Sequence, residues 1–323
     1  MVSPNTSSVQ YRPDLRDGVA EEWDVNGEQA GYIAEQLLPM VDVPHAAGTY
    51  KRIAREQFTA GEQDDRASGG DYTRIAFGDE DVPFHTEERG LEVPIDHNAE
   101  AQASDYYDAE MEATRILLGK LYREHENRVA AKLFNATTFV GRTGNVGTEW
   151  SILASATPIS DVKDSSEIVR SNCGLKPNTL AISQKVWNNL TECSQVLNRI
   201  TGGATKDMPA VALRKAVAQM MDVDQILVAG GIKNTANKGQ DHVSADIWDD
   251  EFALLAYIRP NPSLRTLQLG CTLHWGKDGS QRDFRVEQYA TPNGRGRIVQ
   301  ARRQVKEFVQ YAECGYLLSN ITD

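Results

Sequence analysis

The sequence from Ser104 to Asn135 predicts one long amphipathic helix, and this stretch constrains the fold more than any other. It contains no proline, Ser104 can cap its amino end, and acidic residues lie near that end while basic residues lie near the other. Apolar or aromatic side chains recur on one side at helical spacing, at Tyr107, Met111, Leu118, Leu121, Tyr122, Val129 and Leu133. At about 1.5 Å per residue the helix would be roughly 45–50 Å long, more than a compact domain of ordinary size needs. We therefore predict a spine helix with one buried face.

The length and composition indicate a folded protein with room for two domains, or for one core with large appendages. The chain has 323 residues, of which 40% are hydrophobic. Its longest apolar runs, such as Phe252 to Ile258, are far too short to cross a bilayer, and the first residues lack the pattern of a signal peptide. We therefore expect no membrane contact.

The formal net charge of -12 argues against a protein whose main task is to grip a phosphate backbone, because that affinity comes from clustered Lys and Arg. One basic cluster stands out, made of Arg295, Arg297, Arg302, Arg303 and Lys306. We interpret it as a solvated strand face or as ion pairs with acidic neighbours, with nucleic-acid binding as the alternative.

The sequence before the spine helix predicts extensions rather than a core. Residues 1 to about 27 are polar, so we expect an arm that is ordered only by contacts with something else, followed by a short docking helix that Pro39 ends. Short alternating segments at Tyr50–Ala54, Tyr72–Phe77 and Leu91–Ile95 surround the tip sequence GEQDDRASGGD. Because their apolar content is too low for a core, we predict a β-hairpin arm that lies on another surface.

The sequence after the spine helix predicts two further units. Residues 156–262 alternate between helical and strand patterns, which is typical of a compact α/β domain. From Leu267 to Trp275 apolar residues alternate with polar ones, which predicts a half-buried strand, and further strands are predicted at Arg282–Tyr289, Arg297–Gln304 and Phe308–Leu318. These strands need a helix to cover their apolar face. We therefore predict an α+β fold in which the spine helix covers the late strands and the α/β domain is inserted between them.

A search of the sequence for catalytic or binding chemistry finds no motif. The glycine-rich stretch FVGRTGNVG lacks the lysine of a P-loop, so a hinge or turn is the better interpretation. The histidines form no metal-ligand pair, and His125 falls on the buried stripe of the spine helix, where we expect a core histidine with its hydrogen bonds satisfied. Ser183 lacks the flanking glycines of a nucleophilic serine and is explained as a helix cap. We therefore expect no enzyme, no catalytic, cofactor-binding or metal-binding residues, and no cofactor.

The cysteines give the same result. There are four, at Cys173, Cys193, Cys271 and Cys314, and no CxxC pair occurs among them. Their scattered positions favour packing roles in a reducing compartment over disulfides or zinc binding.

Four stretches of the sequence together carry a resemblance to a known family. They are GLKPNTLAIS at 174–183, DVDQILVAGGIKNTANKG at 222–239, FALLAYIRPNP at 252–262 and AECGYLLSNI at 312–321. Each is a strand-and-turn pattern that is weak alone, but four in this order and spacing are specific. From Gly31 to its end the chain resembles the major capsid proteins of tailed bacteriophages, which share the Hong Kong ninety-seven type shell fold.

The resemblance implies a role for each part of the chain. Residues 1–42 would be the N-terminal arm, 43–96 the extended loop lying across a neighbouring subunit, 97–155 the spine helix of the peripheral domain, 156–262 the axial domain, and 263–323 the peripheral-domain strands. Copies would assemble in the host bacterial cytoplasm as hexamers and pentamers of an icosahedral virion shell around double-stranded DNA. The implied partners are further copies and separate scaffolding, portal and decoration proteins, with the DNA enclosed without sequence-specific binding.

Two alternatives stay open on the sequence alone. An encapsulin-like cellular compartment shell would use the same fold to hold a cargo peptide, and an α/β enzyme with an unrecognised site would form a small oligomer that binds a small molecule. For a phage shell, the interfaces must bend between five-fold and six-fold environments. We place that freedom at glycines, which tolerate the widest range of backbone angles, namely Gly69, Gly70, Gly141, Gly144 and Gly147.

Overall fold

The structure, a computed structural model, describes residues 9–19, 31–61, 64–66, 68–75, 78–103, 108–200 and 209–322. Its helices are α1 (residues 13–19), α2 (Ala34–Leu37), α3 (His97–Ala103), α4 (Ala109–Leu133), α5 (Pro158–Cys173), α6 (Gln184–Glu192), α7 (Ser194–Ile200) and α8 (Ala210–Met221). Its strands are β1 (Gln10–Tyr11), β2 (Met40–Asp42), β3 (Ala47–Ile53), β4 (Asp79–His85), β5 (Glu87–Asp96), β6 (Thr143–Asn145), β7 (Thr179–Ser183), β8 (Gln225–Ala229), β9 (Ile232–Asn234), β10 (Ser244–Asp246), β11 (Ala253–Ala256), β12 (Gly270–His274), β13 (Arg285–Ala290), β14 (Gly296–Val309) and β15 (Gly315–Ser319).

The strands form two main sheets. In the large sheet the order is β1-β13-β14-β12-β2, and β5 also pairs with β14. In the small sheet the order is β6-β15-β11-β7-β8. The remaining strands form two-stranded pairs, which are β3 with β4 and β9 with β10.

The spine helix is α4, and its amino end differs from the prediction. It covers Ala109–Leu133, and the predicted cap Ser104 lies outside the described residues. Asp108 caps the helix instead, because its side chain accepts hydrogen bonds from the backbone N–H groups of Glu110 at 2.9 Å and Met111 at 3.3 Å. At about 1.5 Å per residue the described helix is about 37 Å long.

The spine helix packs on both sheets, which explains its length. Its amino-terminal half buries Leu117 in one cluster with Val299 of the large sheet. Its carboxyl-terminal half buries Leu133 in another cluster with Leu254 of the small sheet. The predicted packing of the spine helix on the late strands is confirmed, and the same helix also supports the α/β unit.

The small sheet is buried on both faces, as expected for an α/β unit. Every residue of β7 and of β11 is buried, with α5 to α8 on one face and the spine helix with α2 on the other. The predicted end of one helix and the predicted cap of another are also confirmed. Gly174 ends α5 with a φ of 73°, and Ser183 Oγ accepts the N–H of Val186 at 3.3 Å at the start of α6.

Residues 9–19 dock on the large sheet of their own chain. β1 pairs with β13, and Leu15 and Val19, four residues apart in α1, are buried in the cluster that contains Leu117. Arg12 Nη1 donates to Glu110 on the spine helix at 3.0 Å. The surface that orders this part of the arm is therefore the chain itself, while residues 1–8 and 20–30 lie outside the described residues.

The first strand of the hairpin arm lies where the sequence predicts it, since β3 contains residues 50–53 of the predicted strand Tyr50–Ala54, but the second strand forms from other residues. The strands of the arm are β3 and β4, and the predicted strand Tyr72–Phe77 is wrong for residues 72–75, which form no strand. Tyr72 and Ile75 are 74% and 56% exposed, so the alternating pattern there does not reflect packing. The predicted strand Leu91–Ile95 lies within β5, which leaves the arm and pairs with β14.

β12 is buried on both faces, although its alternating pattern predicts a half-buried strand. The segment around α2 covers its polar side. Thr272 Oγ1 donates to the carbonyl of Leu38 at 3.0 Å, and His274 Nδ1 lies 2.8 Å from Asp42 Oδ1. The segment that covers β12 lies more than two hundred residues earlier in the chain. The alternation of apolar and polar residues within β12 could not predict that contact.

The predicted strand Phe308–Leu318 is interrupted, and its second part belongs to the other sheet. Phe308 lies near the end of β14, a 3-10 turn at Ala312–Cys314 redirects the chain, and β15 then pairs with β11 and β6. The assignment of all of 263–323 and 97–155 to the peripheral domain is therefore corrected at β15 and β6, which complete the small sheet. The remaining domain limits stay a prediction.

The loop predicted as a hinge contains one glycine with a packing role. Gly144 lies in β6, and a Cβ atom there would overlap the hydroxyl of Tyr316, whereas Gly147 has open space around it. We expect Gly144→Ala to lower the free energy of unfolding by about 1–3 kcal/mol through overpacking. The control Gly147→Ala should change it by less than about 0.5 kcal/mol. Equal urea midpoints for the two variants would show that the contact with Tyr316 does not constrain position 144.

Candidate assembly surfaces

The described part of the chain does not bring together the groups of a metal site. No set of three or more His, Cys, Asp or Glu residues there is placed to hold a metal ion. The four cysteines are buried and free, which confirms their predicted packing roles. No described helix is long and apolar enough to cross a bilayer. The functional candidates are the contacts that join the parts of the chain and the surfaces that it leaves open.

The predicted basic cluster on β14 is engaged within the subunit. Arg303 is completely buried, with its guanidinium carbon 4.1 Å from the ring centroid of Phe284. The ion pairs of the cluster are Arg297 with Glu100 at 2.8 Å, Arg302 with Asp278 at 2.9 Å, Arg303 with Glu35 at 3.2 Å and Lys306 with Glu87 at 2.6 Å. The ion-pair interpretation is confirmed for these four residues, because each basic side chain forms an ion pair with an acidic side chain of the same chain.

A buried carboxylate on the spine helix joins three parts of the subunit. Glu126 Oε1 accepts hydrogen bonds from the backbone N–H of Ile33 at 2.8 Å and from Trp248 Nε1 at 2.7 Å. Its Oε2 accepts one from the N–H of Ala34 at 3.0 Å, at the start of α2, where N–H groups have no partner inside the helix. Burial raises the pKa of Glu126, and the N–H donors act against that rise. The carboxylate thus holds α2 and the α/β unit on the spine.

A second buried cluster lies one residue earlier on the spine helix. His125 Nδ1 lies 3.1 Å from Glu307 Oε1 on β14, and Arg128 Nε donates to the same oxygen at 2.9 Å. Burial raises the pKa of the Glu307 carboxyl, but the hydrogen bond from His125 and the charge of Arg128 outweigh it and hold the pKa far below its ordinary range. His125 is therefore a core histidine as predicted, but the prediction that its hydrogen bonds are satisfied is wrong for Nε2, which has no partner among the described residues.

The burial of His125 predicts a loss of stability in mild acid. Burial lowers its pKa below the ordinary value of about 6.5. Below about pH 6.5 the unfolded chain therefore binds a proton that the folded chain does not, and stability falls by up to about 1.4 kcal/mol per pH unit until the folded pKa is reached. Because the pKa of Glu307 is depressed, its contribution to stability is lost only as the pH falls below the ordinary carboxyl value of 4.5.

The measurement is the urea midpoint at about pH 7.5 and about pH 5.5. His125→Gln keeps a donor for Glu307 without a titratable ring, so the difference between the two midpoints should be smaller in this variant than in the wild type. An equal difference in both proteins would show that another group titrates.

Sequence reasoning missed the buried acids of the spine helix. Glu110 and Glu126 are buried. The Glu110 carboxylate accepts hydrogen bonds from Arg12 Nη1 at 3.0 Å and from Gln288 Nε2 at 2.8 Å. One signal was present: Glu126 lies three residues before Val129, on the apolar stripe. A carboxylate at such a position requires buried donors, but the sequence does not tell which segments supply them.

The hairpin arm buries little of itself. Of β3 only Tyr50 is buried, and β4 contains no buried residue. It still contacts its own chain along its length: Tyr50 packs on Phe308 with ring centroids 5.7 Å apart, Arg52 lies over Tyr311, and Asp79 accepts from Arg265 Nη2 at 3.2 Å. An isolated two-stranded hairpin is only marginally stable in water. The exposed part of this arm is therefore a candidate surface for binding another molecule.

Comparison with known proteins brings the chain close to phage capsid proteins. It is 24% identical over 316 residues to the major capsid protein of Burkholderia phage BcepMu, and the match covers 94% of this chain and 96% of that protein. A phage-related protein from Bordetella bronchiseptica has a similar fold, with a TM-score of 0.71 at 18% identity over 96% of this chain and 97% of the other. The capsid structure of cyanophage P-SCSP1u matches with a TM-score of 0.54 at 13% identity, over 88% of this chain and 86% of the other. No protein-family model matches.

These three matches cover between 88% and 96% of this chain. The predicted α+β shell fold is therefore confirmed. The sequence match over nearly the full length of both proteins also carries information that fold alone does not. The chain is a homologue of a phage major capsid protein and has the shell fold of phage capsids.

Proposed function

We propose that this chain is the major capsid protein of a tailed bacteriophage and that copies of it assemble into the icosahedral head shell around double-stranded DNA. One observation carries the proposal, namely the alignment with a phage major capsid protein over 94% of this chain and 96% of that one. The shell is built from hexamers and pentamers, it forms in the host bacterial cytoplasm, and the protein resides in the virion. Separate scaffolding, portal and decoration proteins are its partners.

The division of labour along the chain supports this function. Residues 1–42 act as the N-terminal arm, the hairpin within 43–96 as the extended loop, 156–262 as the axial domain, and the spine helix with the large sheet, β5 included, as the peripheral domain. The hairpin arm gains stability by lying on a neighbour, so its ordering is coupled to association. Many weak repeated contacts in a closed symmetric array give a stable shell.

The proposed role is structural, with no reaction to catalyse, no cofactor and no membrane. The net charge of -12 and the paired arginines of β14 favour a shell that encloses DNA without sequence-specific binding. The sequence match with a phage major capsid protein favours a capsid over an encapsulin-like compartment.

Sedimentation velocity of the purified full-length chain tests the proposal. Over a range of protein concentrations we expect subunits or capsomers together with particles of many copies, whose share rises with concentration. A bound cargo protein inside small uniform particles would favour the compartment. Only monomers or dimers at all concentrations, with saturable binding of a small molecule, would favour an enzyme.

A further inference from the structure

β5 is an edge strand of the large sheet, and its outer edge is open. In an antiparallel ladder alternate residues direct both backbone groups at the partner strand, and the residues between them direct theirs away. His97 N–H donates to the carbonyl of Arg295 in line with the β5–β14 register, so the odd-numbered residues of β5 bond to β14. The N–H and C=O groups of Glu88, Gly90 and Glu92 therefore point outward, and no described residue bonds to them.

The outer edge of β5 has a defined length. Pro94 also lies at an outward position and has no N–H to offer, so it ends the run of donors. Glu88, Gly90 and Glu92 are all exposed, and a groove of about 340 Å³ follows them along the sheet. The edge thus offers three outward N–H groups in a row.

The hairpin arm has a matching open edge on β3. Thr86 N–H donates to the carbonyl of Ala46, and Ala54 N–H donates to that of Gly78, so the even-numbered residues of β3 bond to β4. The backbone groups of Ala47, Thr49 and Lys51 point outward, and no described residue bonds to them. The next outward carbonyl, that of Ile53, accepts from Tyr311 Oη at 2.7 Å and closes the run.

The other edge of the arm is unsuited to β5. On β4 the outward positions include Pro83, which has no N–H, and Asp79 and Asp81, whose charge matches that of the acidic edge of β5. β3 carries Lys51 and Arg52 instead. Within one subunit β3 lies beside β4, and β4 runs into β5 through Thr86 alone, so β3 of the same copy does not lie beside β5.

We propose that β3 of one copy adds to the outer edge of β5 of a neighbouring copy as an antiparallel strand. The inference rests on the proposed function and names where the hairpin arm docks. Thr49 lies opposite Gly90, Ala47 opposite Glu92 and Lys51 opposite Glu88, so that all three outward residues of each strand are paired. Within the single subunit Lys51 is 64% exposed and lies 3.7 Å from Asp81, and Glu88 is 59% exposed and lies 3.2 Å from Arg302. In the added strand Lys51 and Glu88 face each other and form a cross-strand ion pair. The contact joins two different surfaces, so successive copies associate head to tail, which suits a ring.

Charge exchange tests the pairing. In Lys51→Glu and in Glu88→Lys, like charges face each other at every such contact, and we expect the yield of particles to fall by about tenfold or more, because a small loss is repeated throughout the array. The double variant Lys51→Glu with Glu88→Lys restores opposite charges and should return to within about twofold of the wild type. Circular dichroism confirms that each variant is folded. Single variants that assemble like the wild type, or a folded double variant no better than the worse single, would overturn the pairing while leaving the shell function intact.

Cysteine cross-linking gives a second readout that does not depend on charge. Residues in a hydrogen-bonded antiparallel pair have Cα atoms about 5.5 Å apart, within the reach of a disulfide. Under mild oxidation Lys51→Cys with Glu88→Cys should give covalent dimers and higher oligomers on a non-reducing gel. The matched control is Asp81→Cys with Glu88→Cys: Asp81 lies opposite Lys51 but one strand further from Glu88, about 9–10 Å away, and should give none. Cross-links in both or in neither would overturn the proposed register. Absence of wild-type particles would contradict the proposed function instead.

Discussion

Leu118→Pro is expected to leave no folded subunit and therefore no assembly. Leu118 lies in the middle of the spine helix and is 2% exposed, in the cluster that joins the helix to the large sheet. Proline removes a hydrogen bond to Thr114 and its ring clashes with that carbonyl, at a cost of about 3 kcal/mol or more. Loss of the buried leucine adds about 2 kcal/mol or more. Together these approach the whole stability of an ordinary domain, which is about 5–15 kcal/mol.

Ala109→Pro provides the matched control. Ala109 is the first residue of the same helix, where the N–H has no partner inside the helix and proline is tolerated. We expect this variant to fold and assemble like the wild type. Both are measured by circular dichroism and by the fraction of soluble protein. A folded, soluble Leu118→Pro protein would show that the helix is not the element on which the subunit is built.

Glu126→Ala is expected to lower the free energy of unfolding by about 3 kcal/mol or more. The substitution removes the carboxylate that accepts from Ile33, Ala34 and Trp248, all of which are buried. Each buried donor left without an acceptor costs about 1–3 kcal/mol. The loss also releases α2 from the spine helix, so residues near 33–38 should become more open than the rest of the subunit.

Urea unfolding and hydrogen exchange measure the two effects. Glu124→Ala is the control, because Glu124 lies two residues earlier on the exposed side of the same helix. Its unfolding free energy should stay within about 0.5 kcal/mol of the wild type. Glu126→Gln, which keeps one oxygen acceptor, should fall between the two. Equal unfolding free energies of Glu126→Ala and Glu124→Ala would show that the hydrogen bonds of Glu126 do not stabilise the subunit.

Local sequence patterns predicted the elements that local forces determine. The period of the spine helix, the glycine that ends α5 and the serine that caps α6 depend on residues within a few positions, and the structure contains all three. The first strand of the hairpin arm was predicted on largely the right residues, at Tyr50–Ala54, but its second strand was predicted on the wrong ones. β4 contains three acids and a proline, which is a poor strand sequence, and cross-strand pairs such as Arg52 with Glu80 offset its low propensity.

The errors of prediction arise where distant segments meet. β15 joins the small sheet because β6 and β11 lie beside it, and neither partner is close to it in sequence. The same is true of Glu126, whose donors come from segments about ninety residues before it and more than one hundred residues after it. The periodic spacing of apolar residues does not show which distant segments will contact each other. The resemblance to phage capsid proteins predicted how these parts are arranged. It could do so because it depends on the order of four stretches that lie far apart in the sequence.

Negative-stain electron microscopy of the purified full-length chain tests the central claim most directly. If the chain is a phage major capsid protein, fields of protein at assembly concentrations will contain closed, angular shells or capsomer rings built from many copies. The account predicts such particles for the wild type and for Ala109→Pro, and none for Leu118→Pro. A uniform population of wild-type monomers or dimers under all conditions would contradict it.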